Sequence, residues 1–224
     1  DNIRITARGT TFRAITFHGE TDVALRLVGK FNVYNALAAI AAALVEDIPL
    51  DVVKAGLERV PGVPGRVEAV DAGQPFAVIV DYAHTPDGLE NVLQAVKEIA
   101  ERRLILVFGC GGDRDRGKRP IMGKIGARYA DFCILTSDNP RTEDPEAILD
   151  DIEAGLREDG VPAARYERIA DRRAAIEKAV EMASPGDVVL IAGKGHETYQ
   201  IIGDRKTEFD DRLVAGEAIR RRRP

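Results

Sequence analysis

The chain has 224 residues, of which 45% are apolar and 31% charged, enough for one large core or two modest ones and ordinary for a globular protein. Its formal net charge of -5 argues against broad binding to nucleic acid or to an anionic membrane, while leaving room for a local basic pocket. The two cysteines, Cys110 and Cys133, form neither a disulfide framework nor a zinc pattern and fit a reducing compartment, and no apolar run approaches the roughly 18–20 residues that span a bilayer.

The chain begins at Asp1 with no initiator Met and no signal-peptide pattern, so a piece of a longer protein is expected. The opening residues predict a β-meander: Ile3–Ala7, Thr11–Phe17 and Thr21–Leu27 are β-rich runs broken by Gly9, Gly19 and Gly29. Leu37, Ile40, Ala41, Leu44 and Val45 recur at helical spacing, with Asn32 as a candidate N-cap, and a second helix is expected over Leu50–Val60. The cluster Pro61-Gly62-Val63-Pro64-Gly65 is the strongest candidate for a domain boundary.

After Gly65 the pattern changes. Phe76–Val80, Leu104–Phe108, Phe132–Thr136 and Val188–Ala192 are continuous apolar runs, as strands buried on both faces of a parallel sheet require, and a short strand is expected near Tyr166–Ile169. Helices are predicted between them. The first carries Leu89, Val92, Leu93, Val96, Ile99 and Ala100 on one stripe, with Pro86 in its first turn. Others cover about Arg119–Tyr129, Pro145–Leu156, Asp171–Met182 and Asp210–Arg220, and Arg220–Arg223 reads as a solvated, disordered end. Strands alternating with helices imply a doubly wound α/β fold.

Each buried run leads directly into a polar or Gly-rich stretch: Asp81–Asp87, Gly109–Pro120, Ser137–Arg141 and Gly193–Glu197. In a parallel sheet all four lie at the carboxyl edge, where open α/β sheets bind ligands. Taken singly, Gly109–Gly112 and Asp138-Asn139-Pro140 read as plain turns, and His84 and His196 are as readily structural. Gly193-Lys194-Gly195 lacks phosphate-loop spacing, and Cys110, with no activating base, reads as an inert thiol. Their convergence is what matters. Arginine forks match carboxylates, while Asp138 and Glu197 accept from an ammonium, so the pocket suits a zwitterion or a mixed-charge ligand.

These motifs resemble those of the Mur ligase family over essentially the whole chain. Gly29-Lys30-Phe31-Asn32-Val33-Tyr34-Asn35-Ala36-Leu37-Ala38-Ala39 resembles the segment that ends the family's central ATPase domain, and Gly65-Arg66-Val67-Glu68 its linker-arginine motif. Asp81–Asp87, Phe108–Pro120, Asp138-Asn139-Pro140-Arg141 and Gly193-Lys194-Gly195-His196-Glu197 resemble the members that add diaminopimelate. The resemblance implies the β/α end of that central domain over residues 1–64, followed over 65–224 by a Rossmann-like carboxyl-terminal domain with a mostly parallel sheet. It implies that Arg114, Asp138, Asn139, Pro140, Arg141, Gly193 and Glu197 hold meso-diaminopimelate. Arg114 and Arg141 would take its distal carboxylate, and Asp138, Gly193 and Glu197 its distal ammonium. Asn35, Arg66, Asp81 and His84 would contact ATP, although Asn35 alone reads as a solvent-facing amide and Arg66–Asp81 as a structural ion pair.

The implied reaction is ATP-dependent amide ligation of meso-diaminopimelate to UDP-N-acetylmuramoyl-L-alanyl-D-glutamate, with Mg2+ offsetting phosphate charge, in a cytoplasmic and monomeric enzyme. No Gly-x-x-Gly-Lys-Thr-type phosphate loop and no residue that can be assigned a catalytic role occur in these 224 residues, so the chain alone is expected to be inactive. The alternatives are another ligase of the same type (lysine-adding, D-Ala-D-Ala-adding or folylpolyglutamate synthetase) or a non-catalytic amino-acid-binding module. Arg141 disfavours lysine, whose side chain has no carboxylate for it.

Overall fold

The computed structural model describes residues 1–6 and 9–222; Ala7, expected at the end of the first strand, and Arg223, expected in the tail, lie outside the described residues. The chain divides into two compact units, Asp1–Val63 and Pro64–Pro224.

In the first unit, β1 (Arg4–Thr6), β2 (Gly9–Thr16) and β3 (Gly19–Leu25) form an antiparallel meander in the order β1-β2-β3. Alternation sets its faces: Thr10, Phe12 and Ala14 are buried, while Thr11, Arg13 and Ile15 are exposed. Helix α1 (Lys30–Val45) lays Val33, Ala36, Ile40 and Leu44 on Phe12, Ala14, Val23 and Leu25, and α2 (Leu50–Arg59) adds Val53. Asn32 is not the N-cap that the sequence suggests. The cap position is Gly29, at φ 107°, and Asn32 lies inside the first turn. Its amide is spent elsewhere: Nδ2 donates to Val28 O at 2.9 Å and Oδ1 accepts from Asn35 at 3.1 Å.

The second unit is built on a six-stranded sheet in the order β4-β5-β9-β6-β7-β8. Its elements are β4 (Glu68–Ala69), β5 (Ala77–Asp81), α3 (Pro86–Lys97), β6 (Leu104–Phe108), α4 (Lys118–Tyr129), β7 (Phe132–Leu135), α5 (Pro145–Glu158), β8 (Tyr166–Arg168), α6 (Arg172–Met182) and β9 (Val188–Ala192). A hairpin of β10 (Tyr199–Ile202) and β11 (Arg205–Glu208) precedes α7 (Asp211–Arg222). All strand pairs in the large sheet are parallel except β4 with β5. The continuous apolar runs arise because both faces are covered: β6 and β9 are buried at every residue. Helices α6 and α7 cover the face carrying Val78, Val80, Ile105, Val107, Ile134, Val189 and Ile191, and α3, α4 and α5 pack on the other. Each of these side chains contributes about 1.5–3 kcal/mol by leaving water.

Side chains fix several helix starts. Thr85 accepts from Gly88 N–H ahead of Pro86, and Asp144 and Asp171 cap α5 and α6. The terminal arginines depart from expectation. Arg220, Arg221 and Arg222 end α7 rather than forming a disordered end. Arg222 donates to Val180 O at 2.6 Å and lies over the Phe76 ring, and Arg221 meets Glu177 at 2.9 Å, so carbonyl, ring and carboxylate hold the run in place.

Candidate functional site

Strands β5, β9, β6 and β7 are neighbours and parallel, so the segments that follow them leave the same sheet edge. Backbone bonds then knit those segments together. Gly193 N–H donates to Asp81 O at 3.0 Å, Thr136 N–H to Phe108 O at 2.9 Å and Gly112 N–H to Asn139 O at 2.9 Å. The β10–β11 hairpin clamps residues 138–141: Gln200 Nε2 donates to Asp138 O, Ile201 N–H to Asn139 Oδ1, Arg141 N–H to Ile201 O and Gly203 N–H to Arg141 O. The packing leaves no room for side chains at two glycines. A Cβ at Gly112 would overlap Pro140 O, and one at Gly193, where φ is 118°, would stand 2.7 Å from Asp138 Oδ2.

One pole of the edge is acidic. Asp138 is buried, and no donor among the described residues reaches its carboxylate; Lys194 Nζ stands 4.0 Å from Oδ1. Burial pushes the Asp138 carboxyl above its ordinary range, and the charges of Arg172 and Lys194 offset this in part. Glu197 Oε2 accepts from Asn139 Nδ2 at 2.9 Å and from Lys194 Nζ at 3.3 Å, and no donor among the described residues reaches Oε1. Lys194 is fully buried, and its ammonium also donates to Asn139 Oδ1 at 3.2 Å. Beneath this layer the fully buried Arg172–Asp211 pair closes at 2.7 Å, and Arg172 also donates to Ser137 O and Ala192 O, the carbonyls just ahead of Asp138 and Gly193.

The other pole is basic. Arg141, half-buried at φ 53°, donates from its guanidinium to Gly112 O at 2.7 Å and to Asn139 O at 3.4 Å. Arg114 is exposed, with its guanidinium on Asp113 O. Both arginines border Gly111: Arg141 Nη1 lies 2.9 Å and Arg114 Cγ 3.7 Å from where a Gly111 Cβ would stand. Glu143 steadies this loop, bridging Arg119 at 2.8 Å and the Asp113 N–H at 2.6 Å. The Arg119 guanidinium and the Asp113 amide hold its carboxyl at about 2. Asn139 joins the poles, its carbonyl facing Arg141 and its side chain Glu197.

The remaining sequence candidates fall differently. Arg66 and Asp81 do not form the structural ion pair offered as an alternative. Asp81 accepts from Val67 N–H and Ala83 N–H, both at 2.8 Å, and burial raises its carboxyl. Arg66 is exposed, with its guanidinium 4.9 Å from the centre of the Tyr82 ring. The same ring packs against His84 at 4.6 Å and His196 at 4.9 Å, so Tyr82 is the centre of a cluster that the sequence did not single out. Asn35 belongs to the first unit and is exposed on α1. Lys194 is not singled out by the sequence, because Gly-Lys-Gly lacks phosphate-loop spacing; the available signal is a lysine between two residues expected to face an ammonium. The β10–β11 hairpin is likewise absent from the sequence expectations, although Gly203-Asp204 between two β-rich runs is a turn signature. Cys110 is buried, its thiol pushed up to about 12 by burial. Among the described residues no group of three or more His, Cys, Asp or Glu side chains is placed to hold a metal ion, and no helix is long and apolar enough to cross a membrane.

The family described as Mur ligase, glutamate ligase domain, matches residues 65–195, and the Mur ligase middle domain matches residues 1–43. The UDP-N-acetylmuramoyl-L-alanyl-D-glutamate–2,6-diaminopimelate ligase of Syntrophomonas wolfei is 56% identical over 97% of this chain and 44% of its own length. That of Geobacillus kaustophilus is 54% identical over 99% of this chain and 45% of its own length. A solved structure of a ligase of the same name superposes with a TM-score of 0.75 at 42% identity, covering 98% of this chain and 44% of that one. The UDP-N-acetylmuramate–alanine ligase of Thermotoga maritima, at 22% identity and a TM-score of 0.65 over 99% of this chain and 44% of that one, shares the fold. The chain thus spans less than half the length of these relatives.

Proposed function

Because the chain belongs to the Mur ligase family, we propose that it forms the carboxyl-terminal part of an ATP-dependent ligase that joins meso-diaminopimelate to UDP-N-acetylmuramoyl-L-alanyl-D-glutamate. In this reading residues 1–64 close the central ATP-binding domain, and residues 65–224 hold the incoming amino acid. One observation carries it: an acidic pole with two unsatisfied acceptors, Asp138 and Glu197 Oε1, and an arginine pole at Arg141 and Arg114, joined through Asn139. A buried carboxylate without a donor is costly unless a cation arrives. The distal centre of diaminopimelate supplies an ammonium for Asp138 and Glu197 and a carboxylate for the arginines. Gly193 lets the ligand approach the Asp138 carboxylate, and Asn139 and Pro140 set the distance between poles. Arg141 and Arg114 favour this ligand over lysine, which would leave a guanidinium facing no carboxylate.

In the reaction, a D-glutamate carboxylate oxygen attacks the γ-phosphorus of ATP and ADP leaves. The free amine of diaminopimelate then attacks the acyl phosphate, an amide C–N bond forms, and inorganic phosphate departs with the amine proton released. The part this chain takes is orientation of the nucleophile. Asn35, Arg66, Asp81 and His84 are proposed to contact ATP, with Asp81 acting through the Val67 amide beside Arg66. Mg2+ would neutralise phosphate charge; among the described residues no group of three or more His, Cys, Asp or Glu side chains is placed to hold it. The enzyme is proposed to act as a cytoplasmic monomer.

The test is calorimetric titration of meso-diaminopimelate and of L-lysine into the chain, with and without ATP. Binding of diaminopimelate but not lysine is expected, with no ATP hydrolysis and no ligation by the 224 residues alone. Equal heats from the two amino acids would contradict the arginine pole's role, and metal-dependent ligation would contradict the division of labour.

A further inference from the structure

We propose that Lys194 is a positioning residue for amino-acid selection: its buried ammonium fixes the Asn139–Glu197 pair and leaves one uncompensated carboxylate for the ligand's own ammonium. This rests on the diaminopimelate reading above.

Charge counting motivates it. Arg172 and Asp211, both fully buried and 2.7 Å apart, neutralise each other. Above them Lys194 faces two carboxylates, Glu197 at 3.3 Å and Asp138 at 4.0 Å. One cation against two anions leaves a deficit of one positive charge, which a single ligand ammonium would close. Geometry assigns Lys194 to the wall of the site. Its Nζ donates to Asn139 Oδ1, which the Ile201 N–H also holds at 2.9 Å, and it lies 5.5 Å from the Tyr199 ring centre. The lysine and Asn139 together occupy Glu197 Oε2, so that Oε1 is the oxygen left to receive a ligand. Without Lys194, the buried Asp138 and the half-buried Glu197 would face each other with no cation between them, and one would take up a proton. A protonated acid no longer attracts an ammonium, and Glu197 would lose one of the two bonds that orient it.

The experiment uses the full-length ligase that contains this chain and compares meso-diaminopimelate with 2-aminopimelate. The analogue keeps both carboxylates and the attacking amine and lacks the distal amino group. Wild type is expected to prefer diaminopimelate in kcat/KM. In Lys194→Met that preference falls by about tenfold or more, through a raised KM for diaminopimelate with kcat at saturation little changed. Lys194→Gln keeps a donor but not the charge and is expected to fall between. An unchanged preference in either folded variant overturns the proposal, as does a loss confined to thermal stability. If neither variant folds, Lys194 is a structural residue and the proposal fails. A wild-type enzyme that does not discriminate between the two amino acids refutes the diaminopimelate reading itself, a result distinct from any change on substitution.

Discussion

Arg141 combines an uncommon backbone with a demanding side chain. Its φ of 53° lies in the left-handed region, where a non-glycine residue persists only if its surroundings hold it. Here both its N–H and its C=O are bonded to the hairpin, and Nη1 spends its hydrogen bonds on Gly112 O and Asn139 O. The guanidinium is therefore oriented before a ligand arrives, and a bidentate contact needs little further ordering. Arg141→Ala in the full-length enzyme is expected to weaken diaminopimelate recognition by roughly 2–4 kcal/mol. An apparent KM equal to wild type would refute the contact.

At the scale of elements, the Arg172–Asp211 pair ties the start of α6 to the start of α7 and to the ends of β7 and β9. Its position beneath Asp138 and Gly193 makes it a foundation for the site. Asp211→Asn leaves the fully buried Arg172 guanidinium without its ion-pair partner, and a loss of about 3–5 kcal/mol in unfolding free energy is expected from denaturant titration. Replacing both partners, Arg172→Met with Asp211→Leu, removes the stranded charge and should recover most of that loss. A double variant no more stable than the single one would show that the hydrogen bonds to Ser137 O and Ala192 O matter more than the paired charges.

The whole molecule carries an acid sensitivity that follows from Glu143 and the groups it bonds. Glu143 sits at about 2 against an ordinary 4.5, because Arg119 and the Asp113 amide favour its charged form. A depressed carboxyl stabilises the folded state above its unfolded pKa, and the gain is lost as pH falls toward the folded one. The stability difference between wild type and Glu143→Gln should therefore be largest above pH 4.5 and shrink toward pH 2. Urea unfolding at stepped pH checks this, and a pH-independent difference would contradict it. Most of this architecture was legible in the sequence, since runs such as Leu104–Phe108 and Val188–Ala192 declare a doubly covered parallel sheet by composition alone. Less legible was whatever depends on pairing across the chain. Asn32 has the residue type of a cap, but its amide bonds Val28 O, and the terminal arginines have the composition of a solvated end, but Phe76, Val180 and Glu177 lie beside them. Lys194 shows the same gap, because a sequence names a lysine but not the acids it faces.

The hairpin that grips Arg141 also exposes every residue of its second strand to solvent. Substitutions there disturb little buried surface. Insertions or deletions near Gly203 would nevertheless tug on the main chain at Arg141. If the proposed site holds, the hairpin is a remote handle on selectivity, able to retune which amino acid is accepted while the proposed contact residues stay unchanged.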